Sequence, residues 1–158
     1  MIEILSTVGL CVLLGAVILY DLRQMRLPNR LALLFVLLFA LAEVWTVPAG
    51  ELAGRVGVAL LVLVLGMVAN AARLVGGGDV KILSALMLFI PLRDLAPFLF
   101  LLSLSMAGGI AVLLVVRRAL RGVDTGWIGL QESGRYPMGI SIGAAGLVYV
   151  ALNWSGAL

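Results

Sequence analysis

The chain contains no histidine and a single cysteine. Without histidine there is no imidazole general base and no histidine-ligated metal. The lone Cys11 lies in an apolar run, which excludes a disulfide framework and a cysteine zinc site. Charge is scarce as well. Eleven basic and eight acidic residues make 12% of the 158-residue chain, about half of the ~25% usual in soluble domains. So few charges cannot clothe an ordinary soluble surface. What is present in abundance is apolar: 63% of residues are hydrophobic and the mean hydropathy is +1.21. This composition describes an all-α polytopic membrane protein, read as one membrane-embedded domain over residues 1–158. The formal charge of +3 records topology and not nucleic-acid binding. Its basic residues are scattered over loops without interleaved aromatics. Any acid–base chemistry falls to carboxylates, and no cofactor or metal is expected.

Six apolar runs are expected to form transmembrane helices: Ile4 to Tyr20, Leu31 to Val47, Val56 to Ala72, Val80 to Leu92, Leu95 to Val116 and Met138 to Leu152. The first lacks a basic segment before it and a cleavage site after it, so it reads as a retained span and not a signal peptide. The fourth is short and opens on Gly76-Gly77-Gly78-Asp79, so it is expected to be shielded by its neighbours. With six spans and the N-terminus outside, Arg23, Arg26, Arg30, Arg73, Lys81, Arg117, Arg118, Arg121 and Arg135 share the inner side. Only Arg55 and Arg93 fall outside, as the positive-inside rule requires. Trp45 and Trp154 are expected at the interface. Gly139-x3-Gly143 leaves two readings open, a helix-packing face or simply the general abundance of glycine in membrane helices, and the second is the default.

Carboxylates at a membrane edge mark functional candidates. Glu3, Glu51, Asp94, Asp124 and Glu132 fall in predicted loops or ends and read as solvated charges; Glu43 is expected to snorkel to the outer interface. Asp21 and Asp79 are different. Asp21 closes the first span and Asp79 starts the fourth, as an expected N-cap. The topology brings both to the same depth at the same face. Two carboxylates a few Å apart share one proton. The ionised member can take a proton from water, and the protonated member can polarise a carbonyl. That is peptide-bond hydrolysis without histidine, cysteine or metal. Gly76, Gly77 and Gly78 would let an extended substrate backbone approach Asp79 and let the chain bend before the helix. On the residues alone, a non-enzymatic membrane subunit of pilus assembly or a small ion- or proton-coupled transporter also stays open. The two aspartates would then bind a cation or relay protons.

Tyr20-Asp21-Leu22-Arg23-x2-Arg26-Leu27-Pro28-Asn29 resembles the first aspartate motif of the type IV prepilin peptidases. Gly76-Gly77-Gly78-Asp79-Val80-Lys81 resembles their GxGD motif with its following lysine, and Tyr136-Pro137-Met138-Gly139-Ile140 with Gly143 loosely resembles the segment before their last helix. The resemblance implies that Asp21 and Asp79 are the catalytic aspartates, that Arg26, Pro28 and Asn29 shape the first loop, and that Lys81 and Pro137 edge the site. It implies an aspartic endopeptidase of the bacterial inner membrane, acting at the cytoplasmic face on prepilin and pseudopilin precursors, whose short basic leaders it removes. Its partners are those precursors and membrane lipids. Longer, bifunctional members carry an added N-terminal region with paired Cys-x-x-Cys motifs and methylate the new N-terminus. Neither motif occurs here, so the resemblance is closest to the short peptidase-only branch serving tight-adherence (Flp-type) pili.

Overall fold

The computed structural model describes residues 2–120, 126–131 and 136–156. Asp124, Glu132, Arg121 and Arg135 lie outside them. Seven α-helices follow in order: α1 (Ile2–Gln24), α2 (Asn29–Ala42), α3 (Ala49–Ala71), α4 (Gly77–Met87), α5 (Leu95–Ala119), α6 (Ile128–Gln131) and α7 (Met138–Ser155), with a 3₁₀ turn at Leu92–Asp94 before α5. Proline punctuates this series. Pro28, Pro48, Pro91 and Pro137 stand immediately before α2, α3, the 3₁₀ turn and α7, and Pro97 sits in the first turn of α5. A proline there loses no helical hydrogen bond, because the first N–H groups of a helix have no internal partner.

Helices α1, α3, α5 and α7 are long and apolar enough to cross a membrane. The other two apolar runs form shorter helices, α2 with 14 residues and α4 with 11. At 1.5 Å per residue these rise about 21 and 16 Å, against a hydrocarbon core of about 30 Å. Turns at residues 43–47 and 88–90 carry the chain onward from each. The chain alternates between two ends of the bundle. One end collects the α1–α2 connection, the start of α4, α6 and the start of α7. The other collects the α2–α3 connection, the 3₁₀ turn and the end of α7.

Helix α4 is the core. Val80, Ile82, Ser84, Ala85, Leu86 and Met87 are buried, as are Leu88, Phe89 and Ile90 after it. It packs against α3, α2 and α7. Phe89 meets Phe35 and Phe39 edge-on at 6.3 and 5.5 Å between ring centres, a favoured aromatic geometry. The short fourth run is thus shielded by its neighbours, as expected. The outer faces of α3 and α5 are the reverse. Leu60, Leu61, Val64, Leu65 and Val68 on α3 and Leu99, Phe100, Leu104 and Val112 on α5 are exposed. These apolar faces suit lipid, where each helix satisfies its own backbone. Trp45 and Trp154 are both exposed at the same end. The chain is an all-α polytopic membrane protein.

A stripe of glycines joins α1 to α7. A Cβ at Gly146 would stand 2.7 Å from Leu14, one at Gly143 2.5 Å from Ile18, and one at Gly139 2.8 Å from Oδ2 of Asp21. The three glycines occupy one face of α7, and Leu14, Ile18 and Asp21 one face of α1, at matching helical spacing. Of the two readings of Gly139 and Gly143, the contacts favour the packing face over the default, and that face ends on a carboxylate.

Candidate active site

Asp21 lies within α1, one turn before its end, where it closes the first apolar run. It is 3% exposed. Because Gly139 has no side chain, the Asp21 carboxylate reaches the start of α7, where Oδ2 accepts a hydrogen bond from the Ile140 N–H at 3.2 Å. Ile140 is the third residue of α7. Its N–H is one of the donors a helix start leaves unpaired, at the positive end of the helix dipole. Asp21 thus caps α7 from another helix.

Asp79 is the third residue of α4; the N-cap is Gly76, which corrects the expected capping role. Its Oδ1 is buried and has no hydrogen-bond partner among the described residues. The backbone of Gly139 interacts with both carboxylates, and the charge of Asp21 acts directly on Asp79. Both line one cavity of about 740 Å³, together with Met25, Arg73, Gly76, Met106, Tyr136 and Pro137 among others. Among the described residues no cation lies within ion-pair distance of either carboxylate. Two acids from helices far apart in sequence thus face one cavity, with no neutralising partner among the described residues. An arrangement of that kind can hold a single proton between two oxygens and a water beside them.

The glycines before Asp79 make room within the chain itself. A Cβ at Gly76 would lie 2.4 Å from Oδ2 of Asp79, and one at Gly78 would lie 2.9 Å from the Leu27 backbone oxygen. Gly78 therefore lets the α1–α2 connection press onto the first turn of α4. Gly77 faces the Asn70 side chain at 3.5 Å. No sharp bend is needed, since Gly76 has φ −71° and ψ 134°, which any residue adopts.

The remaining expected site residues divide in two. Gly76 and Pro137 line the cavity with the aspartates. Arg26, Pro28, Asn29 and Lys81 do not. Pro28 starts α2, Arg26 is exposed, and the Lys81 ammonium donates to Oδ1 of Asn29 at 2.8 Å, away from Asp79. That bond and the Gly78–Leu27 contact clamp the two aspartate-bearing segments together.

Several residues escaped the sequence reading. Tyr136 lines the cavity; its hydroxyl pairs with Ser141, and burial, then the nearby Asp21 charge, push the phenol above its ordinary pKa. It therefore stays neutral. Helix α6 lies over the end of α1: Arg117 donates to the Gly129 oxygen at 2.8 Å, and the Arg23 guanidinium lies 5.5 Å from the Trp127 ring centre. The signal that could have found Gly139 was the register of the α7 glycines against Leu14, Ile18 and Asp21.

At the opposite end three expectations are corrected. Asp94, expected to be solvated, is 6% exposed and accepts a hydrogen bond from Tyr149 at 2.9 Å. Glu43 does not merely snorkel: it accepts from Ser6 at 2.8 Å and pairs with Arg55 at 3.4 Å. Arg55, expected in a loop, is buried within α3 and also pairs with Glu51 at 3.2 Å.

No curated protein and no solved structure matches the chain. The family comparison is different, because residues 8–113, from α1 through most of α5, match the type IV leader peptidase family. That stretch includes both helices that carry the paired aspartates, and on this match the chain belongs to the type IV leader peptidase family, a family of proteases.

Proposed function

We propose that the protein is an aspartic endopeptidase in which Asp21 and Asp79 form the catalytic dyad. The observation that carries this reading is the pair itself: two carboxylates on one cavity, with no cation against either and with Oδ1 of Asp79 unpartnered among the described residues. In the proposed reaction a water sits between them. Asp21, held by the α7 N-terminus, takes a proton from the water as it attacks the scissile carbonyl. Asp79 carries the shared proton on its otherwise unpartnered oxygen and gives it to the developing oxyanion. Collapse of the tetrahedral intermediate expels the amine, which leaves with a proton from the dyad. Among the described lining residues Asp21 and Asp79 are the only carboxylates.

The family match supports a leader peptidase substrate. The finer reading is removal of the basic leader from prepilin and pseudopilin precursors by one membrane domain spanning residues 1–158, with six spans and the N-terminus outside. The basic residues favour the cytoplasmic face of a bacterial inner membrane for the site. Arg23, Arg26, Arg30, Arg73, Lys81, Arg117 and Arg118 belong to the site end of the bundle, Arg55 and Arg93 to the other. The absence of Cys-x-x-Cys pairs favours the peptidase-only branch serving Flp-type pili.

Co-expression with a prepilin tests the reading. Asp21→Asn and Asp79→Asn are each expected to lower cleavage by about 10³-fold or more, the range of a lost acid–base catalyst. Asp124→Asn is expected to cleave normally. Cleavage at the wild-type rate by either single dyad variant, seen on a gel of precursor and product, would exclude the two-aspartate mechanism.

A further inference from the structure

Among the described lining residues of the cavity, α5 supplies only Met106 and Ile110, and neither is polar. Beside them on α5, Ser105 and Gly109 meet the start of α7 instead. Ser105 Oγ donates to the Ser141 oxygen at 3.0 Å, and Ser141 Oγ donates to the Ser105 oxygen at 3.1 Å. The Tyr136 hydroxyl pairs with Ser141 Oγ. It occupies the space that a side chain on residue 109 would need. A Cβ at Gly109 would collide with the phenol oxygen and stand 3.0 Å from Ser141 Oγ. Ser105 and Gly109 are one helical turn apart, on one face of α5.

Every hydroxyl hydrogen of this cluster can be placed. A carbonyl only accepts, and the one hydroxyl hydrogen of Ser141 goes to the Ser105 oxygen. The phenol therefore donates to Ser141 Oγ, and burial keeps it protonated to do so. Ser141 is 1% exposed, so water cannot replace a partner removed from it. Tyr136 and Ser141 bracket residues 137–140, the entry and first turn of α7 with its buried N-cap Pro137. That turn carries Gly139, which makes room for Asp21, and the Ile140 N–H, which donates to Asp21 at 3.2 Å. Such a length is the long end of the range for an N–H···O bond, so a small shift of the turn would break it.

Resting on the dyad reading above, we infer that Ser105 and Gly109 are positioning residues for the reaction. Through Tyr136 and Ser141 they tie the first turn of α7 to α5, and so hold the Ile140 N–H on Asp21. Helix ends open at little cost unless something holds them, and a reacting group displaced by about 1 Å loses about 10²-fold in rate. The same two helices touch again further along. Phe98 and Tyr149, both buried, meet edge-on at 5.8 Å between ring centres. Phe98 lies about 10 Å before Ser105 along α5, at 1.5 Å per residue. That contact also packs α5 on α7, but away from Asp21. One seam thus holds two contacts, one that sets the site and one that only packs.

Kinetics and thermal unfolding of the full chain in detergent separate the two roles. The substrate is a synthetic peptide with a basic segment, the scissile bond and an apolar segment of about 20 residues. Tyr136→Phe and Ser105→Ala are each expected to lower kcat by about tenfold, the scale of one lost hydrogen bond, with KM unchanged. Because the cluster acts as one unit, the double variant is expected to be no slower than the slower single variant. Ser105→Thr keeps the hydroxyl and is expected to keep kcat. Gly109→Ala displaces the phenol and is expected to reproduce the Tyr136→Phe loss. Phe98→Leu is expected to lower the unfolding midpoint with kcat unchanged. Wild-type kcat in both Tyr136→Phe and Ser105→Ala would overturn the positioning role. So would a raised KM at unchanged kcat in Tyr136→Phe, which would make the phenol a substrate contact. A kcat loss in Phe98→Leu equal to theirs would overturn it too, because kcat would then follow the stability of the seam alone. In each of these outcomes Asp79→Asn still abolishes cleavage and the dyad reading stands. Undiminished cleavage by Asp79→Asn would instead overturn the dyad reading, and the positioning role with it.

Discussion

Glu43, Glu51 and Asp94 at one end of the bundle each have an arginine or hydroxyl partner; among the described residues Asp21 and Asp79 at the other end have neither. Arg55 holds Glu43 and Glu51 at 3.4 and 3.2 Å and reaches the Leu88 oxygen, while Asp94 takes the Tyr149 hydroxyl. These are acids whose burial is compensated, and they fix the α2–α3 connection and the 3₁₀ turn to the helices beside them. At the site end the only donors to the two aspartates among the described residues are backbone N–H groups, and one oxygen of Asp79 has none. The same bundle therefore carries acids that hold structure and acids without such partners among the described residues, the pair proposed above to exchange a proton. Under-satisfied buried carboxylates mark reactive sites.

The largest effect that would sharpen this contrast lies in the dyad. If Asp21 and Asp79 act as one unit, the double Asn variant is expected to fall by the same ~10³-fold as either single variant, since such effects are not additive. A multiplicative loss, read from precursor cleavage rates, would break the unit. Next comes Gly139→Ala. Its Cβ would stand 2.8 Å from Oδ2 of Asp21, and a displacement on the order of 1 Å lowers activity by about 10²-fold. Gly146→Ala crowds Leu14 in the same helix seam. It is expected to lower stability by about 1–3 kcal/mol while leaving kcat near wild type. Equal kinetic losses in the two variants would show that the seam, and not the carboxylate, controls activity.

Arg55→Met probes the other end. Removing it strands two partly buried carboxylates, and stability is expected to drop by about 3 kcal/mol, measured by thermal unfolding in detergent, with kcat of the folded protein unchanged. A lost kcat with unchanged stability would erase the distinction between the ends. The smallest effect is expected at the clamp. Lys81→Met and Asn29→Ala break one exposed hydrogen bond, and a double-mutant cycle on cleavage rates is expected to give a coupling of about 0.5–1 kcal/mol.

What the sequence made legible follows from period and register. Six apolar runs separated by prolines and polar turns became six helices because both signals are local. Asp21 and Asp79 fell at one end because the direction of each run alternates. The contacts that complete the site are not local. Ile140 lies 119 residues from Asp21 along the chain, and Arg55 meets Glu43 only because the α2–α3 connection folds back. Asp94 follows Pro91 in a polar stretch, and nothing near it in sequence announces the Tyr149 hydroxyl that buries it. What Gly76 and Gly78 make room for within the chain, the Asp79 carboxylate and Leu27, is likewise visible only in three dimensions.

Hydrolysis consumes one water for every bond cut, and hydrocarbon supplies almost none. Helix α4 rises about 16 Å, roughly half of the apolar slab. Were it full length, Asp79 would face headgroups at one surface with a closed helix packing beneath it. Being short, it begins where α3 has already ended and α7 has only just begun, which leaves an open basin over the carboxylates. The shortness of α4 thus leaves the proposed dyad within reach of solvent, while the rest of the helix stays anchored among its neighbours.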